Sequence, residues 1–238
     1  MIIQSTAKSN ADSWFLSGFG RWVLAQEQRY CNSMVRDSFG FFALQLGLTH
    51  RPMTRRAPVR NHAIIGINGH IVADSTALPF ADDSVDFIVL QHALDAADAP
   101  HAVLREAVRA LRPDGRLLIV GFNPISLLGA SVGLTSLPWR GRWLTLRRIK
   151  DWLALLDMSV VEGRFAVFLP PLYRREARRR MGWMEKAGRR WWPLCGGVYF
   201  ISAVKHRLGM RVIIPHFSKN RLPRRLPAVE PKRQQRNV

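Results

Sequence analysis

The sequence predicts an α/β fold with a doubly wound, mostly parallel sheet, and two apolar runs with a helical segment between them carry this prediction. Residues 85–90 (VDFIVL) and 116–121 (RLLIVG) are short and apolar, and turn-forming residues flank both runs. Strands that are apolar on both faces are typical of a parallel sheet covered by helices. A helix between two such strands makes a crossover connection, which is right-handed almost without exception. The alternative is an antiparallel α+β arrangement.

The helical segment between the two runs has one apolar face. Its apolar residues recur at helical spacing and are Val103, Leu104, Ala107, Val108 and Leu111. The charged residues Arg105, Glu106 and Arg109 face away from them. Pro100 lies at the predicted start of the helix, and Pro113 lies just past its end. The segment is therefore the predicted crossover helix.

The order of residues around this unit resembles that of a known family. Asp74 is followed by residues 77–80 (ALPF), 82–86 (DDSVD), the first apolar run, residues 103–106 (VLRE) and residues 111–117 (LRPDGRL). In this order and spacing, residues 73–124 resemble the class I S-adenosylmethionine-dependent methyltransferases, and more narrowly those with a methyltransferase type 11 domain. The resemblance implies S-adenosylmethionine as cofactor and transfer of its sulfonium methyl group to an acceptor that the sequence does not identify.

The resemblance also implies where the cofactor binds. Asp74 matches the family's acidic residue that accepts a hydrogen bond from the adenine amino group, and Ala77 and Leu78 would supply backbone and an apolar face. For Asp74, the alternative is a plain turn-forming residue. Gln91 follows the strand predicted at residues 85–90, at the edge of the sheet where open α/β folds bind ligands.

His92 comes directly after Gln91 and is a weak candidate for a catalytic base or a substrate contact. The alternative is a histidine that only caps or packs. Because the methyl donor is already activated, the enzyme must mainly align the acceptor and exclude water. A strong general base is therefore not obligatory, and the catalytic residues stay unassigned.

The first half of the predicted sheet departs from the family pattern. Residues 41–48 (FFALQLGL) are the predicted first strand, and the family's glycine-rich loop, which lets the backbone approach the cofactor closely, should follow it. This chain offers only Gly47 there. No Asp or Glu occurs between Asp37 and Asp74, so the acid that binds the ribose hydroxyls in the family is missing from its expected place. These departures predict a fold that is reduced in its first half.

Further elements complete the predicted domain. The aromatic, helical segment at residues 13–42 is either a lid over the cofactor or part of the core. Strands are predicted at residues 62–67, 70–73, 158–168 and 196–205, and a helix capped by Thr145 at residues 145–157. Residues 1–208 are predicted to form a single methyltransferase-like domain, with an N-terminal helical segment at about 10–42 and a basic insertion at about 171–193. Residues 209–238 are predicted to be a flexible basic tail.

The charge of the chain favours an acidic partner. Its formal net charge is +19, and basic residues concentrate in the insertion between Arg174 and Arg190 and in the C-terminal tail. Trp183, Trp191 and Trp192 lie within or next to this basic stretch. Basic and aromatic side chains together suit RNA binding, and they equally suit a basic helix on an anionic membrane surface. A solvated insertion without a partner is the third alternative.

Several other classes of protein are disfavoured. The chain has two cysteines far apart and seven histidines that fall singly, so no metal site is predicted. It has no secretory signal pattern, and a cytoplasmic location is expected. Two hypotheses remain. One is an S-adenosylmethionine-dependent methyltransferase, and the alternative is a catalytically inactive methyltransferase-like module that binds RNA or an anionic surface.

Overall fold

A computed structural model describes residues 13–36, 39–49, 51–66, 69–131, 142–171 and 175–206 of the chain. Within these ranges, six strands form one sheet. The strands are β1 (Gly40–Gly47), β2 (Val59–Ile65), β3 (Val85–Gln91), β4 (Leu111–Phe122), β5 (Met158–Ala166) and β6 (Val198–Lys205). Their order across the sheet is β2-β1-β3-β4-β6-β5. The strand order reverses at β1 and β3, where open α/β sheets form their ligand crevice.

The sheet is mostly parallel. β2, β1, β3 and β4 pair in parallel, whereas β6 is antiparallel to β4 and β5 is antiparallel to β6. The two apolar runs are β3 and the second half of β4, and their parallel pairing excludes the antiparallel alternative for this unit. The predicted α/β class with a mostly parallel sheet is confirmed.

Helices cover both faces of the sheet. They are α1 (Gly18–Met34), α2 (Ala93–Ala96), α3 (Pro100–Ala110), α4 (Leu127–Ala130), α5 (Leu146–Leu155), α6 (Arg175–Arg180) and α7 (Trp183–Trp191), with a short 3-10 turn at Pro193–Cys195. α3 is the predicted crossover helix. The Thr145 side chain accepts a hydrogen bond from the amide of Arg148 (3.4 Å), so it caps α5 as predicted. The basic stretch forms two helices, α6 and α7.

Two predicted boundaries differ in the structure. The strand predicted at residues 70–73 is wrong, because only Ile71 pairs there, through a single bridge to Ile65. β4 begins earlier than predicted: Leu111 already pairs with Val85, and the chain then bulges before regular pairing with β3 resumes. Asp114, at φ 64°, lies within this bulge and takes the left-handed conformation that a tight excursion requires.

The sheet separates two apolar cores because alternate residues of each strand point to opposite faces. On one face, β3 contributes Phe87 and Val89 to a core shared with α1. On the other face, β3 contributes Ile88 and Leu90 to a core shared with α3 and α5. Among the N-terminal aromatic residues, Trp14, Phe15 and Phe19 are buried in the first core, which agrees with the core alternative for this segment.

The predicted tail at residues 209–238 lies outside the described residues, and the division of the chain into a domain and a tail stays a prediction. Among the described helices, none combines the length and the apolar character that a bilayer span requires.

Candidate functional site

The carboxyl ends of β1 and β3 lie side by side and bring two of the predicted site residues together. Gly47 pairs with Gln91 in the sheet, and the amide of Leu48 donates to the carbonyl oxygen of Gln91 (3.1 Å). Gly47 has φ 103°, and a Cβ atom at this position would lie 2.1 Å from the same carbonyl oxygen. Only glycine fits this close approach. Gly47 therefore closes the first strand against β3.

A buried polar network starts at these strand ends. Gln45 donates from Nε2 to Oε1 of Gln91 (3.0 Å), and Gln91 donates from Nε2 to Oε2 of Glu27 (2.9 Å). Gln45 Oε1 accepts the amide of Met53 (2.6 Å), which fixes the chain that leaves β1. The three polar side chains of this network are fully buried. Glu27 belongs to α1, so the network ties that helix to the sheet.

His92 connects this network to a second carboxylate. Its Nε2 lies 2.9 Å from Oε1 of Glu27, and its Nδ1 lies 2.9 Å from Oδ2 of Asp95. All three side chains have no solvent exposure. Burial opposes the charged imidazolium, but the two carboxylates outweigh it and raise the pKa of His92 to about 9. His92 is therefore an imidazolium held between two carboxylates at neutral pH.

This arrangement favours the packing alternative for His92. An imidazolium has no lone pair with which to accept a proton, and both of its ring nitrogens already face carboxylates. Asp95 also accepts the amide of Phe122 (3.0 Å), at the end of β4. The Glu27–His92–Asp95 triad thus joins α1, β3, α2 and β4 at the carboxyl edge of the sheet. A catalytic role for His92 stays a prediction.

Asp74 lies apart from the triad, in an exposed turn after Ile71. Its Oδ1 accepts hydrogen bonds from the amide (2.8 Å) and the hydroxyl (2.9 Å) of Thr76. The backbone hydrogen bond from Thr76, followed by the hydroxyl bond, lowers the pKa of Asp74, so the carboxylate is ionised at neutral pH. Its carbonyl oxygen accepts the amide of Ala77 (3.1 Å). The turn therefore presents a fixed negative charge to solvent.

The segment after Asp74 is held by a pair of charged residues on α3. Glu106 accepts the amide of Leu78 (2.8 Å), and Arg109 donates to the carbonyl oxygens of Leu78 (3.3 Å) and Phe80 (2.9 Å). Arg109 also bonds Glu106 (2.7 Å) and forms an ion pair with Asp82. We call Glu106 and Arg109 the α3 latch. The latch fixes the backbone around Leu78 beside the exposed Asp74 turn. The side chain of Leu78 is buried.

These residues can be tested against the adenosine cofactor that the sequence resemblance implies. An ionised, exposed and fixed carboxylate at Asp74 fits the amino group of adenine, and Ala77 beside it is exposed. The side chain of Leu78 is buried, and its amide already bonds Glu106. At the strand ends, where the rest of the cofactor is predicted to bind, the side chain of Gln91 points into the buried network. Residues 48–73 contain no acidic residue that could bind the ribose hydroxyls. The donor set therefore fits the adenine half of the cofactor. The predicted cofactor contacts of Gly47, Asp74, Ala77, Leu78 and Gln91 stay predictions.

An apolar pocket opens beyond the carboxyl end of β4. Its volume is about 600 Å³, and its walls come from residues 124–130 and from the turn after α7. The buried amide of Asn123 joins these two walls, because its Nδ2 donates to the carbonyl oxygens of Ile125 (3.0 Å), Leu194 (2.9 Å) and Gly196 (2.9 Å). Pockets of this size are typical of small-molecule sites. It lies one strand away from the end of β3.

Sequence reasoning missed Glu27, Gln45, Asp95 and the α3 latch. A signal for Glu27 existed, because it is the one acidic residue between Asp12 and Asp37 and shares the apolar helical face with Val23 and Cys31. The latch residues were expected to face solvent. Their partners are backbone atoms of another segment, and a periodic pattern carries no information about such partners.

Comparison with known proteins provides independent evidence on the family of this chain. Residues 50–119 match a family model described as a methyltransferase domain. The chain is 36% identical over 165 residues to the uncharacterized protein YafS of Escherichia coli (strain K12), a match that covers 66% of this chain and 69% of YafS. It is 37% identical over 68 residues to the ubiquinone/menaquinone biosynthesis C-methyltransferase UbiE of Klebsiella pneumoniae, a match that covers 29% of this chain and 27% of UbiE.

Solved structures show the same fold. A SAM-dependent methyltransferase from Archaeoglobus fulgidus aligns with a TM-score of 0.55 at 17% identity, over 78% of this chain and 94% of that one. Geranyl diphosphate C-methyltransferase from Streptomyces coelicolor, solved with Mg²⁺, geranyl diphosphate and S-adenosyl-L-homocysteine, aligns with a TM-score of 0.53 at 15% identity, over 78% of this chain and 80% of that one. These identities support the fold and do not transfer a substrate.

Proposed function

Because the chain belongs to the class I S-adenosylmethionine-dependent methyltransferases, we propose that it transfers a methyl group from S-adenosylmethionine to an acceptor bound beside the carboxyl end of β4. The acceptor position rests on the apolar pocket that follows Asn123. In a parallel α/β sheet, ligands bind outside the carboxyl ends of the strands, which is where this pocket lies.

The observation that carries the proposal is the Asp74 turn. Asp74 is exposed and ionised, and two hydrogen bonds from Thr76 hold its Oδ1 in place. In the proposed complex Asp74 accepts a hydrogen bond from the adenine amino group, while the α3 latch keeps the neighbouring Leu78 segment rigid. A carboxylate that is already fixed loses little entropy when it binds, so its hydrogen bond contributes more to affinity.

The chemistry asks little of the protein in acid–base terms. S-adenosylmethionine supplies an activated methyl group, so the chain must align the acceptor and keep water out. The Glu27–His92–Asp95 triad supports this task by holding α1 across the strand ends. This is a positioning role, because the triad has no solvent exposure and both ring nitrogens of His92 face its carboxylates.

Calorimetric titration of the full chain with S-adenosylmethionine and S-adenosyl-L-homocysteine tests the proposal. We expect saturable binding by the wild type and an affinity at least about 10-fold lower for Asp74→Asn, because one hydrogen bond to a charged group is lost. Asp151→Asn is the matched control, since Asp151 is an exposed acid on α5, away from the Asp74 turn. Its affinity should equal that of the wild type.

Two results would count against the proposal. If the wild type binds neither compound at millimolar concentration, the chain does not use this cofactor and the inactive binding module becomes the better hypothesis. If Asp74→Asn and Asp151→Asn bind equally well, the cofactor does not contact Asp74 and the site must lie elsewhere.

A further inference from the structure

Large apolar side chains line the pocket or directly adjoin its lining residues in the sequence. Five of them are at least partly exposed, and three, Trp191 (73%), Ile125 (68%) and Leu194 (66%), are mostly in solvent. The other two are Leu127 and Trp192. They come from two segments far apart in the sequence, which Asn123 joins. Soluble monomers seldom expose contiguous apolar surface without a partner for it.

The surface of the pocket is mainly apolar. The hydroxyl of Ser126 donates to the carbonyl oxygen of Asn123 (2.7 Å) and accepts the amide of Gly129 (3.0 Å). Asn123 Oδ1 accepts the amide of Ile125 (3.1 Å). The polar groups of this wall therefore bond the protein's own backbone. The wall presents to a ligand the side chains of proline, isoleucine, leucine, alanine and tryptophan, together with the thiol of Cys195.

The helices beside the pocket are strongly basic. Across α6 and α7, six basic side chains are exposed: Arg175, Arg179, Arg180, Lys186, Arg189 and Arg190. Of the two acids on these helices, Glu176 is exposed. Glu185 turns inward and accepts the amide of Phe168 (2.8 Å). The outer surface of the two helices thus carries a large excess of positive charge.

The orientation of α7 follows from a close contact. A Cβ atom at Gly188 would lie 2.4 Å from the Phe168 ring, so this glycine lets α7 pack tightly against the domain. Trp183, Lys186 and Arg190 lie at i, i+3 and i+7, on the side of the helix away from Gly188, and all three are exposed. Apolar and basic groups therefore share one outward side.

We propose that the α4–α7 face, defined as Ile125, Leu127, Trp183, Trp191, Trp192 and Leu194 with the exposed basic side chains of α6 and α7, docks on an anionic phospholipid bilayer. Tryptophan and aliphatic side chains enter the boundary between head groups and acyl chains, and arginine and lysine bind lipid phosphates. The pocket then opens toward the bilayer. This inference is independent of methyl transfer, because lipid binding needs no cofactor.

The composition of the face favours lipid over RNA. RNA recognition relies on aromatic stacking and on donors and acceptors that meet base edges. Here Ile125, Leu127 and Leu194 have no stacking surface, and the polar groups of the pocket wall are occupied. Aliphatic groups gain free energy when they leave water for an acyl environment. RNA binding is therefore treated as an alternative result that the experiment below must distinguish from lipid binding.

Sedimentation of the full chain with vesicles tests the docking. The vesicles contain phosphatidylcholine alone or phosphatidylcholine mixed with phosphatidylserine. We expect binding to the mixed vesicles and much weaker binding to the neutral ones. Lys186→Ala with Arg190→Ala should lower the partition coefficient about fivefold for each charge removed. Trp191→Ala with Leu194→Ala should lower it about 10-fold or more, since both groups lose their apolar contact.

Matched controls separate this face from the overall positive charge. Arg60→Ala removes an exposed basic side chain from β2, and Leu155→Ala removes an exposed apolar side chain from α5. Both should bind mixed vesicles like the wild type, and thermal melts should show that all variants stay folded. If the α4–α7 variants sediment like these controls, the proposal is wrong. It is also wrong if the α4–α7 variants lose affinity for a single-stranded RNA but keep vesicle binding.

Discussion

Nε2 of His92 lies 2.9 Å from Oε1 of Glu27, and neither side chain is accessible to solvent, although the two residues are 65 positions apart in the sequence. The contact fixes α1 across the carboxyl ends of β1 and β3. Asp95 completes a charged triad around the imidazolium. A buried charge is stable only while its partners remain, so the triad makes the N-terminal helix and the sheet depend on each other.

Replacing His92 should therefore destabilise the whole domain. His92→Ala leaves Glu27 and Asp95 buried without a counter-charge, and we expect the free energy of unfolding to fall by about 3–5 kcal/mol. Urea denaturation measures this change. His101→Ala, which removes an exposed histidine from α3, should change stability by less than about 1 kcal/mol. Equal losses in the two variants would show that the triad adds no particular stability.

The stability of the domain should fall as the pH rises above neutrality. The pKa of His92 is raised to about 9 in the folded state, against about 6.5 in an unfolded chain. The folded protein therefore binds more protons between these values, and the stabilisation by the charged imidazole is complete below about pH 6.5 and is lost as the pH passes about 9.

Denaturation midpoints measured from about pH 6 to about pH 9.5 check this dependence. Over this range the contribution of His92 to the free energy of unfolding should decrease by about 3 kcal/mol. His92→Gln cannot titrate, so its curve should be flatter than that of the wild type by this amount. Parallel curves for the two proteins would mean that folding does not raise the pKa of His92.

Gly47→Ala should be costly. The substitution forces a Cβ atom into a backbone with φ 103° and to within 2.1 Å of the carbonyl oxygen of Gln91. We expect a loss of about 2 kcal/mol or more in the free energy of unfolding. Gly163→Ala in β5 is the control, because its nearest neighbour, the carbonyl oxygen of Phe200, lies 4.0 Å away. The prediction fails if both alanine variants unfold at the same denaturant concentration.

Breaking the α3 latch should loosen the Leu78 segment without unfolding the domain. Arg109→Ala removes donors to two carbonyl oxygens and the partner of Glu106. Since the Arg109 side chain is partly exposed, we expect a global loss of only about 1 kcal/mol. Hydrogen exchange at the Leu78 amide should become faster, and the affinity for S-adenosyl-L-homocysteine should fall severalfold.

Arg105→Ala provides the comparison for the latch, because Arg105 is exposed on the same helix. Its exchange pattern should match that of the wild type. If Arg109→Ala leaves exchange at Leu78 unchanged, the segment is held by the burial of the Leu78 side chain, and the latch is not what makes it rigid.

The elements with a local signal could be predicted from the sequence alone. β3 and the second half of β4 follow from apolar runs, α3 from its 3.6-residue period, and the start of α5 from the Thr145 cap. Such features depend on neighbours within a few residues, so a linear pattern contains them. The order of motifs from Asp74 to residue 117 likewise sufficed to predict the family.

The contacts at the carboxyl ends of the strands depend on tertiary packing and could not be predicted from the sequence. Nothing near His92 in the sequence shows that Glu27 will reach it, and nothing near Leu78 shows that Glu106 and Arg109 will hold its backbone. The pocket, too, exists because Asn123 joins two segments that are 71 or more residues apart. Buried polar groups must find partners wherever the fold places them, and that choice depends on how whole elements dock.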